Sequence, residues 1–209
     1  MLVPIEQFAG IESGPAVILG NGPSLNNYKD RQFACPIIGI NSSTSYWPDQ
    51  DYYVTVAYAR LAEVASGEVT ARKAVFTCLQ KRHAVPDSIP QPVVYCDMSL
   101  PDIYTNLAYK KPIFRYDLDK PTHATFGGIY AIQAGLFLGF NPLYIIGFDG
   151  GGLQHFDNRP GGYIPVEHHV RVHWHVTEWL KANSWAKIYQ TNPQAAIQGY
   201  PIAQPPMEE

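Results

Sequence analysis

The 209-residue sequence predicts an α/β fold, a mostly parallel sheet flanked by helices with an irregular, lid-like insertion. Three observations predict it. Unbroken apolar runs in "PAVILG", "CPIIGIN" and "PLYIIGFD" suit strands that are covered on both faces. Segments with apolar residues at helical spacing alternate with such runs. The first run ends on Gly20-Asn21-Gly22-Pro23-Ser24, a glycine-rich turn suited to joining a buried strand to a helix.

In chain order, residues 15–20 read as the first strand, and "SLNNYKD" follows as a short helix or helical turn with Ser24 as candidate N-cap. Residues 35–41 and 51–57 read as strands, "ARLAEVAS" as a helix, and 73–78 and 91–97 as further short strands. Residues 98–124 have no clean period and are broken by Pro101, Pro112 and Pro121, a pattern expected of a lid or binding loop. "GGIYAIQAGLFLGF" reads as a helix ending at Gly139, followed at once by a buried strand ending on Asp149. Residues 150–165 form a second loop region, 166–183 a helix, and "AKIYQTN" the last strand. The reading is one domain over residues 1–197, with a Pro-rich tail over 198–209 that is expected to be loose.

Composition narrows the function. With 46% hydrophobic and 16% charged residues and a net charge of −3, the chain can bury a core but has no basic block for gripping a duplex by charge alone. A local basic groove around Lys110, Lys111 and Arg115 stays open. Cys35, Cys78 and Cys96 are widely spaced, which argues against a disulfide framework or zinc knuckle and for free thiols in a reducing compartment. The first ten residues lack a basic start and apolar core, and no apolar run is long enough to span a bilayer. A cytoplasmic protein is expected, in the host cytoplasm if phage-encoded. The 14 tyrosines and 4 tryptophans permit a homo-oligomer without requiring one.

In open α/β sheets ligands bind beyond the carboxyl ends of the strands, where strand order reverses. The polar residues expected there are Asn21, Asn41, Thr55 and Asp149. Gly20 and Gly22 let backbone amides approach an anion, and Pro23 presets the first helical turn. The turn is neither a Walker loop nor a complete G-x-G-x-x-G. It reads either as a cradle for a phosphate or nucleotide or as an ordinary strand-to-helix turn.

"LGNGPSL" (19–25) resembles the opening motif of the bacterial family 42 sialyltransferases and of the related superfamily that holds the archaeal 6-hydroxymethylpterin diphosphokinases and phage members. "GGIYAIQAGLFLGFNPLYIIGFD" (127–149) resembles the family's later helix, turn and strand ending Gly-x-Asp, and "GIN" (39–41) its second strand end. The resemblance implies a Rossmann-like transferase that binds a nucleotide-activated sugar and needs no cofactor, with a divalent metal allowed. It implies donor contacts from Asn21 and Asn41, with Gly127 and Gly128 near the donor. The family's serine is Gly127 here, and Gly150, Gly151 and Gln154 stand where its phosphate-holding tyrosines would be. The hydroxyl acceptor is open: a glycan, a small molecule or a modified nucleobase.

"VEHHVRVHWH" holds His168, His169, His173 and His175. Alignment on the following "TEWL" implies that His168 is the family's general base, with His169 the near alternative. A base with a pKa near 6.5 suits removal of a hydroxyl proton. His169 and His173, one turn apart, are also spaced to share a metal, although the H-E-x-x-H pattern is not met. Asp117 and Asp119 form an Asp-x-Asp that is expected to be a polar loop or a site for a nucleotide-bound ion. Arg159, in a glycine-rich loop, is placed to reach a phosphate. Asp149 is open to holding a ribose, a metal or its own loop. Alternative readings are an ATP- and magnesium-dependent pyrophosphokinase using Asp149 and Asp157, or a nucleotide-binding protein without catalysis.

Overall fold

The computed structural model describes residues 1–45, 47–77, 85–95, 115–116, 121–122, 127–150 and 166–208. Eight strands form one sheet: β1 (Leu2–Val3), β2 (Ala16–Leu19), β3 (Ile37–Ile40), β4 (Gln50–Thr55), β5 (Ala71–Thr77), β6 (Val93–Tyr95), β9 (Leu143–Ile146) and β10 (Ile188–Gln190). Their order is β1-β6-β5-β4-β3-β2-β9-β10, and every pairing is parallel. Two short strands, β7 (Arg115–Tyr116) and β8 (Pro121–Thr122), pair antiparallel apart from it. Among the described residues the α-helices are α1 (Tyr58–Ser66), α2 (Gly127–Leu138) and α3 (Val166–Ala182). The predicted fold class is thus observed in the main sheet.

Period-two alternation explains the layers. Ile18, Ile38, Tyr52, Val54 and Phe76 face α2 and α3, whose Val172 and Val176 complete that core. Val17, Leu19, Ile37 and Ile146 face the other way, against Leu25 and Tyr28. Tyr53 and Val75 meet Leu61 and Val64 of α1 on that second side. Burying each such aliphatic side chain contributes roughly 1.5–3 kcal/mol. Residues 129–138 of α2 are all buried, which fits its nearly uniform apolar sequence. Gly67 closes α1 at φ 83°, and Gly139 follows α2 at φ 104°. A Cβ at Gly139 would press on the Gly10 Cα at 3.2 Å, so both space and φ select glycine.

Three features depart from the sequence reading. The edge strand β1 was not predicted, because two residues carry no period. The segment after β2 is a 3-10 helix, Pro23–Tyr28, with Gly22 at the N-cap and Pro23 at the first position. Ser24 lies inside that helix, and its hydroxyl is used elsewhere. The Pro-rich tail, expected to be loose, is docked. Tyr200 is buried, the Tyr28 hydroxyl donates to Gln204 Oε1 at 2.5 Å, and the Ala34 amide donates to the Pro206 carbonyl at 3.1 Å.

Removing residues 199–209 should therefore lower stability by at least about 3 kcal/mol, the scale of losing one large buried aromatic. Denaturant unfolding of the truncated and full chains measures this, and an unchanged midpoint would show that the tail contributes nothing.

Candidate active site

From β2 the chain adds β3, β4, β5 and β6 on one side, and only later places β9 and β10 on the other. Strand order therefore reverses between β2 and β9, and the crevice beyond their carboxyl ends is the expected ligand site. The turns after these strands are pressed together. Gly20 N–H donates to the Ile146 carbonyl at 2.7 Å, and Gly22 N–H to the Gly147 carbonyl at 2.8 Å. A Cβ at Gly22 would stand 2.7 Å from that same carbonyl, so this approach requires glycine.

Asp149 locks the arrangement. Its Oδ2 accepts the Ser24 amide at 2.8 Å, and its Oδ1 accepts Asn192 Nδ2 at 2.7 Å. The Ser24 hydroxyl in turn accepts the Gly147 amide at 3.2 Å. The anion at this turn is thus the chain's own carboxylate. The amides of Gly20, Gly22 and Ser24, which the sequence offered to a phosphate, are all engaged by protein oxygens. Of the three roles open to Asp149, the structure displays the tying of its own loops.

Asn21 and Asn41 flank this clamp with different freedom. Asn21 Oδ1 is buried and accepts no hydrogen bond among the described residues. Leaving such a group unpaired costs about 1–3 kcal/mol, which a ligand donor would recover. Asn41 follows β3 at φ 49°, a left-handed conformation rare outside glycine. The Tyr53 hydroxyl (3.1 Å) and Thr44 hydroxyl (3.2 Å) both donate to its carbonyl and hold it there. The opening of α2 comes close: a Cβ at Gly127 would lie 3.2 Å from Asn41 Nδ2. A Cβ at Gly128 would lie 2.7 Å from the Phe148 ring. Gly127 and Gly128 thus keep α2 tight against the ends of β3 and β9.

Helix α3 carries the histidines. It follows the carboxyl end of β9 and leads back to β10, so its first turn, with His168 and His169, lies at the crevice end of the sheet. His173 points into the core at 4% exposure. Its Nδ1 lies 2.8 Å from the Tyr200 hydroxyl, and its ring meets Phe148 edge-on at 5.7 Å. Desolvation, and then the nearby His169, pull its pKa down to about 3. His173 is thus a neutral core histidine whose Nδ1 is paired with the Tyr200 hydroxyl. His175 is also shifted down, by partial burial and Arg171. Among the described residues no cluster of three metal-ligating side chains occurs. Arg159, Asp157, Asp117, Asp119, Lys110, Lys111, Cys78, Cys96 and most of both loop regions lie outside the described residues, as does the side chain of His168.

Sequence reasoning did not single out Phe148, Tyr200 or Asn192. Phe148 sits inside the quoted Gly-Phe-Asp motif, and its ring is what requires glycine at 128. Tyr200 and Asn192 touch the site region only through tertiary packing, and no local pattern marks them.

No family model and no curated protein matches the sequence. Solved structures that match the fold include two glycosyltransferases. The sialyltransferase CstII from Campylobacter jejuni, in complex with the substrate analogue CMP-3FNeuAc, aligns at TM-score 0.56 and 13% identity, over 92% of this chain and 86% of that one. The MAf glycosyltransferase from Magnetospirillum magneticum AMB-1 aligns at TM-score 0.57 and 16% identity. The chain shares its fold with the sialyltransferase and with the aligned part of the Magnetospirillum protein. The alignment covers 91% of this chain but 33% of the Magnetospirillum protein. Among the described residues no helix is long and apolar enough to cross a membrane.

The buried neutral His173 sets a pH dependence. Its folded pKa lies below the unfolded value, so the unfolded chain binds the extra proton between about pH 6.5 and 3. Stability from this group is complete above pH 6.5 and falls with acidification. From pH 7 to 5 the loss is about 2 kcal/mol, at 1.36 kcal/mol for each pH unit below 6.5. Urea midpoints at the two pH values should diverge less in His173→Gln than in the wild type; an equal divergence would rule out this source.

Proposed function

We propose that the protein is a glycosyltransferase that moves a sugar from a nucleotide-activated donor to a hydroxyl acceptor. The observation that carries this reading is the polar pair at the strand switch: Asn21, whose buried oxygen has no partner among the described residues, and Asn41, held left-handed beside the glycines that open α2. In the sialyltransferases that the sequence resembles, the asparagines at these two motif positions contact the donor. The shared fold with two glycosyltransferases, one solved with a CMP-containing substrate analogue, supports the same reading.

The chemistry is a single displacement. His168, with His169 as the neighbouring alternative, takes the proton of the acceptor hydroxyl while its oxygen attacks the anomeric carbon. The bond from that carbon to the donor phosphate breaks, and its electron pair leaves with the phosphate. The position of both histidines in the first turn of α3, at the crevice end of the sheet, supports this role. Because the turn amides are already engaged, we assign the leaving phosphate to Arg159 rather than to the Gly20–Ser24 backbone. The mechanism calls for no cofactor; a divalent ion remains compatible with it. The acceptor is a hydroxyl of a glycan, a small molecule or a modified nucleobase.

A thermal-stability screen against nucleotides and nucleotide sugars, with and without magnesium, tests the donor. A ligand at one hundred times its Kd adds about 2.7 kcal/mol. A metal-independent shift with a CMP, UDP or GDP sugar is expected. A shift with ATP and magnesium alone would replace this reading with the pyrophosphokinase one. With the donor in hand, His168→Ala should lower transfer by roughly 100-fold or more while leaving donor binding near the wild-type level. Full transfer by that variant would remove His168 as the base.

A further inference from the structure

Thr55 ends β4 one strand beyond Asn41 and is fully buried. Its hydroxyl is used in both directions. The Ala57 amide, at the N-cap of α1, donates to Thr55 Oγ1 at 3.2 Å. The hydroxyl proton then goes to Asn41 Oδ1 at 3.0 Å. This one-way relay fixes which end of the Asn41 amide faces which neighbour. A flipped amide would bring a second donor to Thr55 and send the hydroxyl proton away from Asn41, towards the Tyr53 oxygen that also lies within hydrogen-bonding reach of Thr55. With Oδ1 held towards β4, Nδ2 lies on the side of Gly127, 3.2 Å from where a Cβ there would stand. Nδ2 donates no hydrogen bond among the described residues, while the Asn41 backbone is held by Tyr53 and Thr44.

We propose that Thr55 is a positioning residue that makes Asn41 an obligate hydrogen-bond donor to the bound nucleotide. The atom opposite Asn41 Nδ2 is then an acceptor: a phosphoryl, carbonyl or hydroxyl oxygen, or an unprotonated ring nitrogen. This rests on the nucleotide-donor reading above. It goes further by naming the polarity of the contact and the residue that sets it. A threonine in this role acts through its hydroxyl alone, so serine should substitute and the isosteric valine should not.

The test is equilibrium binding of CMP, UDP, GDP and ADP to the wild type, Thr55→Val, Thr55→Ser, Asn41→Ala, Asn41→Asp and the Thr55→Val/Asn41→Ala double variant. For whichever nucleotide the wild type binds, Thr55→Val should bind roughly tenfold more weakly and Thr55→Ser about as well as the wild type. The double variant should bind no more weakly than Asn41→Ala alone, because Thr55 acts through the amide that is gone. Asn41→Asp tolerates the left-handed backbone but offers only acceptors, so it should bind more weakly than Asn41→Ala. Wild-type affinity in Thr55→Val, or fully additive losses in the double variant, overturns the proposal. Should Thr55→Val fail to fold, Asn41→Asp decides alone, and binding at or above the Asn41→Ala level overturns it. A wild type that binds none of the four overturns the nucleotide reading and this proposal together, whereas wild-type binding with an indifferent Thr55→Val removes the proposal only.

Discussion

Asp149 holds three separated parts of the chain at one point. Its carboxylate accepts the Ser24 amide after β2 and the Asn192 side chain after β10, while its carbonyl accepts the Ala196 amide at 2.7 Å. Around it, Gly20 and Gly22 bring the β2 turn within hydrogen-bonding distance of the β9 turn. The crevice where strand order reverses is thus floored by protein-to-protein bonds. A charge-assisted bond from a backbone amide to a carboxylate is stronger than a neutral one, and here it takes the Ser24 amide in the first turn of the helix after β2. The amides of Gly20, Gly22 and Ser24 therefore form no open nest at this crevice.

The main architecture was legible because the physics that builds it is local. A strand covered on both faces needs an unbroken apolar run, and β2, β3 and β9 have one. Helix α3 shows Val172 and Val176 one turn apart on its buried side and Trp174 on its exposed side. Where local rules compete, the reading slipped. Ser24 has the right chemistry for an N-cap, but Pro23 starts the helix two residues earlier and Gly22 takes the cap. The tail reads as loose because proline and glycine break every period, yet Tyr200 finds a long-range partner in His173 that no pattern within eleven residues can announce.

The candidate site divides the same way. Asn21, Asn41, Thr55 and Asp149 were legible as polar residues closing apolar strands, and Gly127 and Gly128 as small residues opening a helix. Their individual tasks were not. Whether a carboxylate meets a ligand or a neighbouring amide depends on which turns the sheet order brings together. Sheet order is a long-range property that residue types alone do not encode in readable form. His169 and His173 illustrate the point: they are spaced like a metal pair, yet the second is buried between Phe148 and Tyr200, which no local pattern announces.

The docked tail has a further consequence for how the molecule behaves among its own copies. β10 is the outer strand of the sheet, and a parallel edge left open is a template on which another chain can add a strand. The segment after Tyr200 takes that position itself. The Gln190 amide donates to the Pro201 carbonyl at 3.0 Å, and the Ala203 amide to the Gln190 carbonyl at 3.2 Å, with Ile202 bridging Gln190 in parallel. Pro201, Pro205 and Pro206 lack the N–H groups that a new neighbour would need. The proline content that made this segment look unstructured therefore fits it to end the sheet, and to keep a concentrated solution of the protein from polymerising through that edge.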